Sequence, residues 1–448
     1  MGPAHGRSRS SWPLRGCGPP LVRRGRFART DGVFGLARHR WAWGFIDQGF
    51  SSVSNFGLTL LAARLLGPRG LGVVVVGFAL YLVALSFQRT LISQPLVISS
   101  STRTSSDRSN ATACSVTVTL LLGLTSAILL VGFGWSLGGA VGHGLVMIGP
   151  WLVPALLQDH WRAVLFRDQR GMAAAVNDGV WILGMIVSLP LAWWLHTTGA
   201  VIACWGAGAT LGAGLGVLQT KVPIAAPTAA WEWWRRVAWP IGRWLASEGT
   251  VYLVISQSTL FVLVGILGTA PIGGYRAVAT IFAPLTLLRP AVALPGLPAM
   301  TSVVSSSERE GRRTAAKWSA ALAALTATYV LLLATRRHQL LVLAFGPSFG
   351  RFAGLVLPIG IEEIFNALGI GFSLFLKASR QGKPILWSTA IGETSTLIAA
   401  SVLAIRYGLS GAAWGMTAAA ALECAAVLYF SLMTSTRRAP EQETGIAH

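Results

Sequence analysis

Apolar residues in this chain come in runs of about twenty, the length that crosses a hydrocarbon layer, separated by short clusters of arginine, glycine and proline. Roughly twelve runs can be marked, at 43–66, 71–98, 111–134, 138–158, 172–195, 198–219, 240–266, 273–298, 315–334, 352–376, 384–404 and 409–434. Some exceed what a perpendicular span needs, so tilted helices or interfacial ends are expected. The pattern predicts an all-α polytopic membrane protein with two groups of six spans.

The runs are not independent. Phe45-Ile46-Asp47 leads through apolar sequence to Leu65-Leu66-Gly67, a short turn at Leu71-Gly72, and then Arg89-Thr-Leu-Ile-Ser-Gln-Pro95. About 200 residues later Ala246-Ser247-Glu248 leads to Ile266-Leu267-Gly268, a turn at Ile272-Gly273, and Arg289-Pro-Ala-Val-Ala-Leu-Pro295. Hydrophobicity could recur by accident, but one acid and one arginine at matched positions have little reason to. Weaker echoes follow, Phe166-Arg-Asp-Gln-Arg-Gly171 with Leu376-Lys-Ala-Ser-Arg-Gln-Gly382 and Gly199-Ala with Gly411-Ala. Six is even, so the copies enter the membrane in the same direction and are expected as pseudo-symmetric six-helix bundles about an axis along the membrane normal, a sequence mark of transporters.

Composition confirms the solvent. The 448 residues are 53% hydrophobic and 12% charged, with mean hydropathy +0.59, about half the charged fraction of a soluble globule. A net charge of +20 would suggest nucleic acid in a soluble protein; here its placement says otherwise, and no nucleic-acid partner is expected. Arginines and lysines gather at alternate connections on the side of the N-terminus, against Arg64, Arg69, Arg336, Arg337, Arg351 and Arg406 on the other. That is the positive-inside pattern, which puts both termini in the cytoplasm. Residues 1–40 read as a disordered basic cytoplasmic arm, or as an upstream mis-assigned start. Residues 41–220 form the N-terminal bundle, 221–239 an interfacial linker helix rich in tryptophan and arginine, 240–434 the C-terminal bundle and 435–448 a cytoplasmic tail. The abundance of arginine over lysine suggests a high-GC bacterial genome and so a multi-pass protein of the plasma membrane. Cys17, Cys114, Cys204 and Cys424 have no metal or disulfide spacing.

Ionisable residues inside spans carry the candidate chemistry, because a charge at the bilayer centre costs roughly 2.5–3.5 kcal/mol on insertion scales and needs a partner, a cavity or a route to the interface. At 1.5 Å per residue, Asp47 and Arg89 share a depth, as do Glu248 and Arg289. They are expected either as one acid–arginine pair per half facing a central cavity, the acids gating it, or as anchors snorkelling to the headgroups. Glu362, Glu363 and Glu393 fall deeper, with Glu423 deeper still in the last span. They are candidates for H+ or Na+ coupling, or hydrogen-bonded packing groups. Adjacent residues differ by about 100° around a helix, so Glu362 and Glu363 cannot both face one partner squarely. Asn55 and Gln257, with Asn177, Asp178 and Asn366, could bind a sugar or join helices. No connection has room for a catalytic domain, and no Gly-x4-Gly-Lys-Ser/Thr phosphate loop is present. The chain is therefore expected not to be an enzyme, to need no cofactor and no metal, and to draw energy from an ion gradient, the membrane potential, the substrate gradient or a separate subunit.

Leu65-Leu-Gly-Pro-Arg-Gly-Leu-Gly72, the Arg-x5-Pro endings, Phe345-Gly-Pro-Ser-Phe349, Lys377-Ala-Ser-Arg-Gln-Gly-Lys-Pro384 and Tyr407-Gly-Leu-Ser-Gly-Ala-Ala-Trp414, in this order, resemble the polysaccharide-export flippases of the multidrug/oligosaccharidyl-lipid/polysaccharide (MOP) superfamily. The likeness covers residues 41–434. It implies a V-shaped cavity between two bundles, opening alternately to either side, and movement of an undecaprenyl-diphosphate-linked oligosaccharide between leaflets. Membrane lipid, the lipid-linked oligosaccharide and a glycosyltransferase or polymerase of the same pathway are the implied partners. By analogy of position Arg89 and Arg289 would attract the diphosphate, a role that suits a permanently charged donor fork. The C-terminal glutamates are not part of the resemblance. An ion-coupled drug or cation antiporter of the same superfamily, and a non-transporting scaffold of an envelope-assembly complex, are the alternatives.

Overall fold

The protein is described from a computed structural model. It covers residues 31–99, 105–379 and 381–433, with backbone alone for 31–48, 50–53, 105–106, 244–252, 286–291 and 293–295. The arm at 1–30, the tail after 433, and the Asp47, Glu248 and Arg289 side chains lie outside the described residues. Met1–Ala42 and Trp43–His448 are separate units, and all that follows concerns the second.

Every described element is helical. Helix α1 is Asp31–Gln88, followed by a wide π-type turn Arg89–Ser93 and α2 (Gln94–Ser99). Next come α3 (Ser105–Leu137), α4 (Gly139–Ile148), α5 (Leu152–Arg167), α6 (Gly171–Leu195) and α7 (Thr198–Thr220). The linker is helix α8 (Pro227–Trp233), a second π-type turn (Trp234–Ala238) and α9 (Trp239–Leu267). The second half continues with α10 (Thr269–Ile281), α11 (Ala283–Ser306), α12 (Glu308–Thr335), α13 (Arg337–Phe345), a 3-10 segment (Pro347–Leu355), α14 (Val356–Ala378) and α15 (Gly382–Met433).

The repeat seen in the sequence recurs as backbone geometry. Gly67 breaks α1 with φ 67° and ψ −172°, and Gly268 separates α9 from α10 with φ 82° and ψ 177°. This combination is open to glycine and strained for any residue with a Cβ. Proline follows closely in both copies, Pro68 and Pro271, where a fixed φ starts the next helix and the missing N–H costs nothing. Gly408 breaks α15 in the same way, with φ 63° and ψ −150°.

Among the described residues eight helical stretches are long and apolar enough to cross a membrane: Ser54–Ser99, Asp107–Leu137, Gly139–Arg167, Gly171–Leu195, Thr198–Thr220, Glu308–Thr335, Pro347–Ala378 and Gly382–Met433. The first, 46 residues long, would reach ~69 Å if straight, more than twice a ~30 Å hydrocarbon layer; the breaks at Gly67 and Gly408 divide the two longest stretches. Ile128, Leu129, Val187, Trp194, Leu331 and Leu332 are well exposed, which suits lipid and not water as their surroundings. Inside, the largest apolar cluster draws on both halves, from Leu58 and Leu71 to Phe345, Phe349 and Val356.

The expected interfacial linker helix at 221–239 differs in one respect: it does not end before the next span. The helix runs from Pro227 through the π-type turn directly into α9. Ala230, Trp233 and Ala238 are buried while Trp231 and Trp239 are exposed. Trp234 links the exposed rings, 5.1 Å from Trp231 and 5.3 Å from Trp239 between centroids. Cys204 and Cys424 are buried, and with Cys114 they are free thiols, as small packing residues would be.

Candidate functional site

A cavity of about 690 Å³ lies between the two halves of the repeat. One wall comes from α1, α5, α6 and α7, the other from α9, α10, α14 and α15. At the end marked by Gly67 and Gly268 the walls meet. A Cβ on Gly72 would lie 2.6 Å from the Thr269 carbonyl carbon, and one on Gly273 would lie 2.8 Å from the Gly72 nitrogen and 2.9 Å from the Pro68 carbonyl carbon. No side chain larger than hydrogen fits there, so the two turns close on each other backbone to backbone.

The first wall is built around a fully paired charge network. The Arg89 Nε and Nη2 donate to the two Asp159 oxygens at 3.0 and 2.5 Å. Arg162 bridges Asp159 at 3.4 Å and Asp178 at 3.3 Å. Gln158 Nε2 donates to Asn177 Oδ1 at 3.0 Å and Asp178 Oδ1 at 2.8 Å, and Asn177 Nδ2 donates to the Gly212 carbonyl at 2.8 Å. Asp159 is buried, yet the Arg89 side chain remains 47% exposed to the cavity. A planar guanidinium can hold a carboxylate on one edge and keep the other for a ligand. The π-type turn makes this possible, since it presents Arg89 outward while Thr90, Ile92 and Ser93 are buried.

Behind Arg89 a second network is sealed from the cavity. Ser115 Oγ donates to the Thr112 carbonyl at 2.8 Å, so it must accept from His160 Nε2 at 3.0 Å. Gln88 Nε2 donates to Ser93 Oγ at 2.7 Å, leaving the Ser93 hydroxyl proton for His160 Nδ1 at 2.9 Å. The bonding thus assigns His160 as a neutral imidazole protonated on Nε2. Above it Phe78, Tyr81, Trp181 and Trp205 form an aromatic cluster, with Phe78 and Tyr81 4.8 and 4.9 Å from Trp205 between ring centroids.

The second wall has a different composition. Glu362, Glu363, Glu393 and Glu423 line it, with Arg276, Tyr275, Ser256, Gln257 and Asn366. Both Glu362 and Glu363 reach the cavity despite their separation around α14, because the wall is broad enough to take both. Glu423 packs against α15's own first leg, its Cδ 2.6 Å from where a Cβ on Gly392 would stand. Arg276 is exposed to the cavity and has no hydrogen-bond or ion-pair partner among the described residues.

Of the residues singled out from sequence, Arg89, Asn55, Gln257, Glu362, Glu363 and Glu393 come together on this one cavity. The acid on Arg89 is Asp159 of α5; the expected partners Asp47 and Glu248, and Arg289, lie outside the described side chains. Sequence reasoning overlooked Asp159, Arg276 and His160, and counted Arg162 with the charges of the following loop. The available signal was the same as for the glutamates, an ionisable residue inside an apolar run.

No sequence-family model matches the chain, and neither does any curated protein sequence. Solved structures do match. The lipid II flippase MurJ in an inward closed conformation superposes with TM-score 0.66 and 14% identity, over 87% of each chain. An inward-facing multidrug resistance MATE family transporter of the MOP superfamily gives 0.66 and 14%, over 85% of this chain and 93% of that one. An outward-facing MATE family transporter gives 0.56 and 15%, over 89% and 94%. The fold is that of the MOP superfamily transporters. These neighbours are flippases and transporters, not enzymes.

Proposed function

We propose that this protein is a plasma-membrane flippase that moves a polyprenyl-diphosphate-linked oligosaccharide from the inner to the outer leaflet for surface polysaccharide synthesis. The observation that carries the reading is the cavity-facing guanidinium set. Arg276 stands without an acid partner among the described residues, and across from it Arg89 is held by Asp159 with much of its surface open. A diphosphate offers several charged oxygens to such donors, and each charge-assisted hydrogen bond is stronger than a neutral one. Asn55 and Gln257 on opposite walls would orient sugar hydroxyls. Twelve spans in two six-helix bundles, with both termini in the cytoplasm, complete the reading. The closed end at Gly67 and Gly268 then faces outward, and alternating access means opening it while the Arg89 end closes. Glu362, Glu363 and Glu393 would couple this cycle to H+ or Na+, and a glycosyltransferase or polymerase would hand over or receive the lipid.

The test is to remove the protein from its own cell and measure polyprenyl-linked saccharides by mass spectrometry together with surface glycan. Accumulation of a saccharide-diphospholipid and loss of the glycan are expected. An unchanged lipid pool and glycan would overturn the assignment.

A second reading has its own support in the wall that carries Glu362, Glu363, Glu393 and Glu423 against the single Arg276. Such a wall attracts cations, as a drug or cation antiporter requires. Proton-driven efflux of an organic cation by the purified protein in liposomes, with no effect of added undecaprenyl diphosphate, would decide for it.

A further inference from the structure

Three contacts bind the two halves at the Gly67 and Gly268 end, and only two of them obey the repeat. Gly72 against Thr269, and Gly273 against Pro68, are reciprocal. The third has no counterpart. Arg64, in the last turn before Gly67, crosses to the other half and donates from Nε to the Ala344 carbonyl at 2.7 Å and from Nη2 to the Leu343 carbonyl. These carbonyls belong to the last turn of α13, just before Gly346 ends it. The last carbonyls of a helix lack intrahelical partners and carry the negative end of its dipole, which makes them good acceptors for a cation. In the second copy the position of Arg64 is taken by Gly265, which has nothing near its Cβ position. In the first copy α3 is followed at once by α4 across Gly138, with nothing corresponding to α13.

We propose that Arg64 and the C-terminal turn of α13 form a one-sided latch that holds this end of the cavity shut, whatever substrate the cavity carries. The two glycine contacts allow closure but cannot hold it, because they bring backbone to backbone with no hydrogen bond between the turns among those described. The latch supplies the attraction. It is exposed, so water or headgroups can replace its hydrogen bonds, and a switchable element requires that low cost. Because only one half carries it, release frees the turn of α1 from the α13 end while the reciprocal contacts part by simple separation.

The test uses the full chain with Cys17, Cys114, Cys204 and Cys424 replaced by serine and Leu263→Cys as reporter. Leu263 lines the cavity beneath the closed turns and is 2% exposed. A membrane-impermeant methanethiosulfonate is added to each membrane face in turn, in cells and in inverted vesicles. With Arg64 intact, modification from the turn side is slow. Arg64→Ala raises it about tenfold, the worth of one or two charge-assisted hydrogen bonds. Arg64→Lys, which can still donate to the carbonyls, raises it less. Gly72→Val, which forbids closure, raises it most. Equal rates for Arg64→Ala and its parent, with both eluting as the same species in detergent, would overturn the latch. So would an unreactive reporter in Gly72→Val. If the accelerated face proves to be cytoplasmic, the topology under the proposed function fails and the latch stands.

Discussion

The two walls of the cavity solve the problem of charge in a membrane protein in opposite ways. On the α1, α5 and α6 wall Arg89, Asp159, Arg162 and Asp178 are interlocked in a network of equal positive and negative charge, propped by Gln158 and Asn177. On the α10, α14 and α15 wall four glutamates and one arginine share the surface, and Arg276 has no partner among the described residues. A closed network resists change, since removing one member leaves a buried charge. An unbalanced wall keeps its interactions for something that comes and goes. The contrast assigns structural strength to the first wall and responsiveness to the second.

The sharpest way to break this comparison is Asp159→Ala. It strands Arg89 and Arg162 together, and a loss of ~3 kcal/mol is expected, the low end for a broken buried pair because Arg89 is partly open to the cavity. Thermal unfolding in detergent would measure it; a melting point equal to wild type would mean that the network carries no load. On the other wall Arg276→Ala should weaken binding of undecaprenyl diphosphate by about ten- to a hundredfold, the loss of charge-assisted hydrogen bonds, while melting is unchanged within ~0.5 kcal/mol. Scintillation proximity or calorimetry reads the binding, and the reverse pattern would transfer Arg276 to the structural side. Ser93→Ala takes the donor from His160 Nδ1 and should cost ~1 kcal/mol, again in unfolding and not in transport. The smallest effect on stability is expected from Glu393→Gln, within ~0.5 kcal/mol. Its signature is instead a transport rate in proteoliposomes that no longer follows an imposed pH gradient. A mutant that follows the gradient as wild type does would remove Glu393 from coupling.

Much of this arrangement was legible in the chain because a bilayer makes rules that sequence cannot evade. An apolar run must be a helix, and Glu362, Glu363 and Glu393 inside such runs had to find a cavity or a bond. The pairing Gly67–Pro68 with Gly268…Pro271 announced two breaks of the same kind, and the structure has them. What escaped was whatever lay close enough to a span's end for water to explain it. Arg162 reads as one more loop charge after α5, and Arg276 follows the Ile272-Gly273 turn by less than one helical turn. Their roles depend on side-chain direction and on which helices are neighbours, which hydropathy does not encode. The π-type turn at Arg89–Ser93 is equally invisible, since it exists to satisfy packing against α5 and α9.

The unbroken helix from Pro227 to Leu267 has a mechanical consequence. Gly242 rests against the backbone of the Arg89 turn, where a Cβ would stand 2.9 Å from the Thr90 carbonyl oxygen and 3.0 Å from Leu91 Cα. That contact is a fulcrum. From it one arm runs ~39 Å to the closed turn at Gly268 and the other ~22 Å back to the tryptophan-rich start at Pro227. A rod so supported multiplies displacement: each ångström moved by the tryptophans in the headgroup layer becomes nearly two at the far turn, which makes the thickness and tension of the bilayer a force applied to the gate.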